Sequence, residues 1–281
     1  MLNQKSNPKR GCKRNIIILS EFIEGAWESI RFSMENLIDS QHGLVYVQAY
    51  RKPDVGQSLL NNFIPILERM AKNELAELKR KTLSKFTIDE DRISICPFEG
   101  DLVSFIRCKQ MIFNPDFLVI SMKKAFPGAA PGLAKKVSKL TSYVTRPLFI
   151  LPDILKKGPV QKVLYLSGTN AKALEKISCL ARLQLLNKNM AIDLRLLSGK
   201  KPTEILPDFT GQAQQLFDAG QLQVQSDGIT LPASDLAILS GKLQPDLVIL
   251  DQDLTASRAD RRKLKLKNWV EKKHGLPLLI F

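Results

Sequence analysis

The chain has 281 residues, of which 44% are hydrophobic and 25% are charged, a balance typical of folded globular domains. This length suggests one large domain or two of ordinary size, and each half can bury a core. The formal net charge of +14 is shared evenly, with +7 in residues 1–155 and +7 in residues 156–281. Such a charge favours acidic partners, namely nucleic acid, anionic ligands or an anionic membrane surface, without selecting one.

The composition also excludes several classes of protein. None of the four cysteines lies in a C-x-x-C pair: Cys12, Cys96, Cys108 and Cys179. Neither a disulfide framework nor a zinc site is therefore expected, and the thiols suit a reducing cytosol, so we expect a cytoplasmic location. The basic N-terminus lacks an apolar signal core, and no apolar stretch reaches the roughly 18–20 residues of a membrane helix.

Short apolar runs alternate with amphipathic helical patterns in the first half. The runs predict strands at 15–20, 43–50, 92–97, 116–121 and 147–151. The patterns between them predict helices at about 24–40, 58–85, 100–112 and 132–144. Near-continuous apolar strands separated by helices indicate a parallel sheet covered on both faces.

The second half has the same alternation. Its predicted strands are 162–167, 191–197, 222–226, 246–250 and 277–281. Its predicted helices are 170–188, 208–219, 234–241 and 258–273. The chain is therefore predicted to contain two doubly wound α/β units, each with five parallel strands and helices on both faces.

The two halves match each other in sequence. "NPDFLVIS" and "QPDLVILD" both carry Pro-Asp before the fourth strand, and "RPLFIL" and "LPLLIF" both carry Pro before the fifth. The offset between the halves is 130 residues for both elements, which indicates an internal repeat rather than shared composition. We therefore predict one domain at 1–152, a linker rich in Pro, Gly and Lys at 153–161, and a second domain at 162–281.

Each half resembles a universal stress protein domain. In the first half "IIILSEF" is similar to the opening strand of that family, "PDFLVIS" to the strand before its nucleotide loop, and "KKVSKLTSYVTRPLFILPD" to its closing helix and strand. "PDLVILD" and "NWVEKKHGLPLLIF" repeat this in the second half. The resemblance implies the strand order 3-2-1-4-5. It also implies that the fifth strands, 147–151 and 277–281, pair within this chain and cover two exposed sheet edges.

Some members of the family bind ATP through G-x2-G-x9-G-[S/T] after the fourth strand. Aligned without gaps from Pro147, these positions hold Ser121, Lys124, Ala134 and Lys135 in this chain. In the second half they hold Asp251, Leu254, Leu264 and Lys265. None of these residues matches the motif. The chain therefore lacks, at these positions, the glycines that let backbone N–H groups approach phosphates. The family's aspartate after the first strand is replaced by Glu21 and by Gly168.

The loop after the fourth strand, "KKAFPGAAPG", is therefore predicted to turn the chain rather than to bind phosphate. In the alternative, lysines hold an anion there without the glycines. The ligand-binding residues would then be Ser20, Glu21, Ser121, Lys123 and Lys124. We expect no cofactor, with ATP as the alternative ligand.

The segment 258–273 is strongly basic, with a net charge of +6. Its cations form a predicted basic surface patch: Arg258, Arg261, Arg262, Lys263, Lys265 and Lys267. A solvated helix face explains the pattern, and a contact for nucleic acid, an acidic protein or lipid headgroups is the alternative. Its aromatic residue, Trp269, has the spacing with Leu266 and Val270 of a side chain that faces the sheet, so single-strand recognition by base stacking is not indicated.

No catalytic or metal-binding pattern accompanies these features. The histidines, His42 and His274, have no ligand spacing and are expected at helix ends or in solvent. No G-x-S-x-G elbow occurs. The sequence therefore favours a non-enzymatic tandem universal stress protein that binds or regulates an unknown protein partner. A nucleotide sensor using the first domain only and a nucleic-acid-associated protein using 258–273 remain the alternatives.

Overall fold

The computed structural model describes residues 14–20, 23–51, 57–121, 139–152, 155, 158–167, 175–178, 190–196, 211, 215, 222–225, 243–250 and 276–280. Contacts between residues divide the chain into two compact units. The first consists of Met1–Met34 and Ile38–Pro147, and the second of Glu35–Leu37 and Leu148–Phe281. The predicted domain boundaries and the linker at 153–161 remain predictions.

The described elements of the first unit alternate as predicted. In chain order they are β1 Arg14–Ser20, α1 Ile23–Asn36, β2 His42–Tyr50, α2 Gln57–Lys85, β3 Ile93–Glu99, α3 Leu102–Lys109 and β4 Pro115–Ser121. Two short 3-10 helices, Glu90–Arg92 and Gln110–Phe113, precede β3 and β4. The four strands are parallel, and their order is β3-β2-β1-β4.

The sheet of this unit is buried on both faces, as its apolar runs predict. Successive residues of β1 point to opposite faces, yet Ile16, Ile17 and Ile18 are all 0% exposed. Helix α2 covers the face that carries Tyr46, whose hydroxyl donates to Thr82 Oγ1 at 2.9 Å. Each hydrophobic side chain buried in this way contributes about 1.5–3 kcal/mol relative to exposure.

The second unit contains six described strands. They are β5 Leu148–Leu151, β6 Lys162–Ser167, β7 Ala191–Leu196, β8 Leu222–Gln225, β9 Leu247–Leu250 and β10 Leu278–Ile280. Their order is β5-β10-β9-β6-β7-β8. Read from β8 back to β10, the last five strands follow the order 3-2-1-4-5. The predicted pairing of the two fifth strands is observed, because β10 is antiparallel to β5 with Leu279 opposite Phe149. The other described pairs of this unit are parallel.

The 130-residue offset also holds for hydrogen bonds. Leu118 of β4 donates its N–H to the carbonyl of Pro147 at 2.9 Å, within the first unit. Val248 of β9 donates in the same way to Pro277 at 3.0 Å, within the second. Each proline thus accepts a bond from the fourth strand just before the fifth strand begins.

The predicted fold class and all ten predicted strands are confirmed. Three helix ends differ from prediction, since the predicted helix 132–144 is described only from residue 139 and is helical there only to residue 141. Helix α1 ends at Asn36 rather than near 40, and α3 ends at Lys109, where the chain tightens into a 3-10 helix. The predicted helices 170–188, 208–219, 234–241 and 258–273 lie mostly outside the described residues. Within the described ranges, no helix is both long and apolar enough to cross a membrane.

Candidate functional site

The carboxyl ends of β1 and β4 meet where the strand order of the first unit reverses. In open α/β sheets, ligands bind outside the carboxyl ends of the strands at this point. Ser20 is the last residue of β1 and Ser121 the last of β4, and the preceding residues Leu19 and Ile120 are register partners. The structure therefore brings these two predicted residues together at what we call the carboxyl edge.

The carboxyl edge is lined by polar and acidic side chains. Ser20 is 6% exposed and lies in register with Gln48 of β2. The Gln48 amide donates to the carboxylate of Glu74 on α2, so the helix brings a negative charge to this edge. Gln48 and Glu74 were not predicted from the sequence, because they are joined by a contact between a strand and a helix rather than by a motif.

Further carboxylates surround the end of β2. Burial raises the pKa of the Tyr50 phenol, and the negative charges of Glu68 and Glu99 raise it further. Arg51, at the same edge, is paired with Asp101 at 3.0 Å. Glu68 is likewise paired, with Lys72 at 3.2 Å, but the carboxylates of Glu68, Glu74, Glu99 and Asp101 outnumber these two cations, so their net charge would repel an arriving phosphate.

Asp101 has a structural role at this edge. It caps α3, accepting the N–H of Ser104 at 2.7 Å. That bond lowers the pKa of Asp101; burial acts in the opposite direction, and the charges of Arg51 and Lys139 lower the pKa further. The carboxylate is therefore already bonded within the protein, to Ser104 and Arg51.

The other predicted site residues lie outside the described residues. These are Glu21, Lys123 and Lys124 in the first half, and Arg258, Arg261, Arg262, Lys263, Lys265 and Lys267 in the second. In the second unit, β6 and β9 meet at the equivalent reversal of strand order. Ser167 ends β6 there and is 0% exposed. The ligand role of Ser20, Ser121 and these residues remains a prediction.

No metal site is formed by the described residues, since no group of three or more His, Cys, Asp or Glu side chains gathers there. Both described cysteines are free thiols. Burial raises the pKa of Cys96, with the charge of Lys109 opposing it, and Cys108 is exposed. A raised pKa keeps the Cys96 thiol protonated and therefore unreactive.

A polar cluster centred on the buried His42 lies at the opposite, amino edge of the first unit. His42, the first residue of β2, was expected at a helix end or in solvent but is 4% exposed. Its Nδ1 atom lies 2.7 Å from Asp39 Oδ1, and its Nε2 atom lies 3.2 Å from Asp116 Oδ2. The guanidinium of Arg14, at the start of β1, lies 3.6 Å from the same Asp116 oxygen.

The turn before β2 presents His42 to these carboxylates. Asp39 Oδ1 accepts the N–H of Gln41 at 2.7 Å and that of His42 at 3.0 Å, which forms an Asx-type turn. Burial of Asp39 acts to raise its pKa, but these hydrogen bonds and the charge of His42 outweigh it and hold the pKa below its usual value. Arg92 donates to the carbonyl of His42 at 3.0 Å. The repeated Pro-Asp sequence was the one sequence feature that pointed to Asp116.

The fold of this chain is similar to that of several solved structures. A universal stress protein from Archaeoglobus fulgidus DSM 4304 is similar over 96% of both chains, with a TM-score of 0.62 and 12% identity. A candidate universal stress protein from Pseudomonas aeruginosa UCBPP-PA14 is similar over 95% of this chain and 92% of its own, with a TM-score of 0.55 and 14% identity. A protein of unknown function from Pseudomonas aeruginosa PAO1 has the same coverage and identity, with a TM-score of 0.53.

Neither a protein-family model nor a protein of curated function matches the sequence. At 12–14% identity, the similarity to these solved structures shows the fold alone and does not identify a ligand. The chain thus has the α/β fold of universal stress proteins.

Proposed function

We propose that this protein is a non-enzymatic tandem universal stress protein, acting in a stress response as a binding or regulatory module through protein contacts. The observation that carries the proposal is the composition of the carboxyl edge. Among the described residues, that edge holds Glu68, Glu74 and Glu99, while Arg51 is paired with Asp101 and Lys72 with Glu68. The usual ligand position of the fold is therefore unfavourable for a nucleotide.

Electrostatics supports the absence of a nucleotide. Two unit charges 4 Å apart interact by about 4 kcal/mol near a protein surface, so an excess of one carboxylate at that distance opposes a phosphate appreciably. The sequence also lacks the glycines through which backbone N–H groups would compensate. Both effects act in the same direction.

The state of His42 supports a non-enzymatic function. A general base needs a free ring nitrogen within reach of a reacting group. Both ring nitrogens of His42 are engaged by the carboxylates of Asp39 and Asp116, at the amino edge and away from Ser20 and Ser121. This histidine is therefore used for structure.

The internal correspondences support the tandem organisation. The strand order recurs in the second half, and the Pro-Asp sequence and the bonds from Leu118 to Pro147 and from Val248 to Pro277 recur at an offset of 130 residues. Such agreement is expected of two copies of one domain. The cytoplasmic location rests on the cysteine usage alone and is part of the proposal.

Thermal unfolding with and without millimolar Mg-ATP, ADP, AMP and cyclic nucleotides tests the proposal. A ligand that binds only the folded state stabilises it by RT ln(1 + [L]/Kd). We expect no rise in Tm with any nucleotide. A rise of several degrees would overturn the proposed function.

A nucleotide sensor that uses the first half is the second candidate, because Ser20 and Ser121 end adjacent strands where the strand order reverses. Lys124→Ala distinguishes it from the first. If ATP raises the Tm of the unmodified chain and this substitution abolishes the rise, the sensor is correct. A rise that persists in Lys124→Ala would leave a nucleotide bound in another way.

A further inference from the structure

A solvent-facing surface at the amino edge of the first unit combines apolar side chains with cations. It is formed by the end of α3, the 3-10 helix Gln110–Phe113 and the turn before β5. Its members, which we call the basic–apolar surface, are Met111, Ile112, Tyr143, Arg107, Lys109 and Arg146. The surface lies beside the start of β1, because Asn15 Nδ2 donates to the carbonyl of Phe113 at 2.5 Å. It is therefore separate from the carboxyl edge.

The centre of this surface is apolar and exposed. Met111 is 56% exposed, Ile112 59% and Tyr143 38%, values unusual for large hydrophobic side chains in the described part of the chain. The two segments that carry them are tied together. Gln110 Nε2 donates to the carbonyl of Tyr143 at 3.1 Å, and Thr145 Oγ1 lies 3.5 Å from Met111 Sδ. The segments that carry these three exposed side chains therefore lie side by side.

Three cations without ion-pair partners lie on the segments that form this surface. The guanidinium of Arg107 lies 5.2 Å from the centroid of the Tyr143 ring. Within the described ranges Arg107, Lys109 and Arg146 form no ion pair, whereas the following cations do: Arg14, Arg31, Arg51, Lys72, Lys79 and Arg195. The positive charge of this surface is therefore available to a partner.

We propose that the basic–apolar surface docks an acidic protein segment that places an apolar side chain against Met111, Ile112 and Tyr143. This inference rests on the proposed function as a protein-binding module and names its surface and its class of partner. An apolar centre with a polar rim, rich in Met, Tyr and Arg, is the composition of protein interfaces. Carboxylates of the segment would complement Arg107, Lys109 and Arg146.

Other anionic partners fit this surface less well. A membrane-binding surface is usually an amphipathic helix with its apolar face in the lipid, whereas Met111 and Ile112 lie on a 3-10 helix of four residues. Single-stranded nucleic acid would need an open aromatic face, and Arg107 already lies over Tyr143. An acidic protein segment requires neither feature.

The test uses the full chain and fluorescein-labelled synthetic peptides rich in Asp and Glu, with a central Trp, Phe, Leu or Ile. A charge-reversed set carries Lys at every acidic position. Fluorescence anisotropy should show saturable binding of one or more acidic peptides, weakening as salt is added, and no binding of the reversed set. Absence of binding by every acidic peptide would overturn the proposal.

Matched variants locate the binding. One carries Arg107→Gln, Lys109→Gln and Ile112→Ser, all at exposed positions. The control carries Arg80→Gln, Lys85→Gln and Met70→Ser, which are equally exposed on α2. Because few interface residues carry most of the binding energy, we expect the first variant to weaken binding about tenfold or more and the control by less than about twofold. Equal weakening by both variants, or by neither, would overturn the proposal.

Cys108 gives a readout that needs no substitution. It is an exposed free thiol between Arg107 and Lys109. A bound acidic peptide should slow maleimide labelling of Cys108, followed by peptide-resolved mass spectrometry. Unchanged labelling at saturating peptide would contradict docking at this surface.

The remaining outcomes separate this inference from the function on which it rests. Binding to phosphatidylserine vesicles, lost in the first variant and unaccompanied by peptide binding, would overturn the protein partner in favour of a membrane. A nucleotide-induced rise in Tm would overturn the proposed function. The peptide measurements would still decide whether an acidic segment docks on the basic–apolar surface. Failure of peptide binding without such a rise would overturn only the inference about this surface.

Discussion

The Nε2 atom of His42 lies 3.2 Å from the Oδ2 atom of Asp116, although 74 positions separate the two residues in the sequence. Arg14 contacts the same carboxylate and Asp39 holds the other ring nitrogen. The starts of β1, β2 and β4 are therefore joined by one polar cluster. His42 is the buried member of this cluster, so its removal leaves the partly desolvated Asp116 carboxylate without that partner.

Substitution of His42 by Ala is expected to lower the free energy of unfolding by about 2–4 kcal/mol, since two carboxylates lose a hydrogen-bonding partner and a buried volume is emptied. Urea denaturation followed by circular dichroism measures the change. Ser40→Ala, an exposed change in the same turn, is the control. A loss below about 1 kcal/mol would show that the cluster is not important for stability.

Stability at low pH should depend on Asp39. Its pKa is lower in the folded chain than its usual value of 3.8. Its contribution is therefore fully present above that value and is lost as the pH falls through the folded-state pKa. The Asp39→Asn variant should be less stable than the unmodified chain at neutral pH. It should also lose less of its free energy of unfolding on acidification below about pH 4. Parallel pH profiles for this variant and the unmodified chain would contradict the assignment, and Asp91→Asn, at an exposed position, is the control.

Tyr46 should affect stability through one hydrogen bond. Tyr46→Phe removes the bond to Thr82 and is expected to cost about 1 kcal/mol, measured by urea denaturation. Burial raises the pKa of Tyr46 from its usual value of 10.0, although the bond to Thr82 opposes this. The free energy of unfolding should therefore fall as the pH rises above 10.0, and it should fall less in the Tyr46→Phe variant. Tyr143→Phe, at an exposed position, is the control and should leave the free energy of unfolding at neutral pH unchanged.

Asp246 should stabilise the start of β6. Its Oδ2 atom accepts the N–H of Gln161 at 3.1 Å and that of Lys162 at 3.0 Å. Asp246→Ala should cost about 1–2 kcal/mol and speed amide hydrogen exchange at both positions. Asp246→Asn keeps an acceptor oxygen and should cost less. Equal exchange rates in the two variants would show that the side-chain oxygen is unimportant there.

The strands could be predicted because burial on both faces leaves a continuous apolar run, as in Ile16 to Leu19. The strand order was implied by the family resemblance, through short motifs that recur at a constant spacing. Helix ends were predicted less well. Helix α1 ends before the predicted position because the Asp39 side chain takes the N–H groups of Gln41 and His42 and turns the chain into β2.

The polar clusters could not be predicted in the same way. His42 and Asp116 meet only because β1 lies between β2 and β4, so no local pattern announces the contact. The bond from Gln48 to Glu74 likewise depends on how α2 packs on β2. The predicted residues Ser20 and Ser121 are brought together because parallel strands end at one edge, a consequence of fold class that the sequence already supports.

Helix α2 is one continuous helix, but its earlier and later parts are buried to different extents. Its later part buries Ala71 and Leu75, whereas Phe63 and Ile66 in its earlier part are exposed. Pro65, within the helix, has no N–H to donate to the preceding turn. The earlier turns should consequently open and close as a separate cooperative unit, at a free energy well below that of global unfolding. One uninterrupted helix would then contain both some of the slowest-exchanging and some of the fastest-exchanging amides of the first unit.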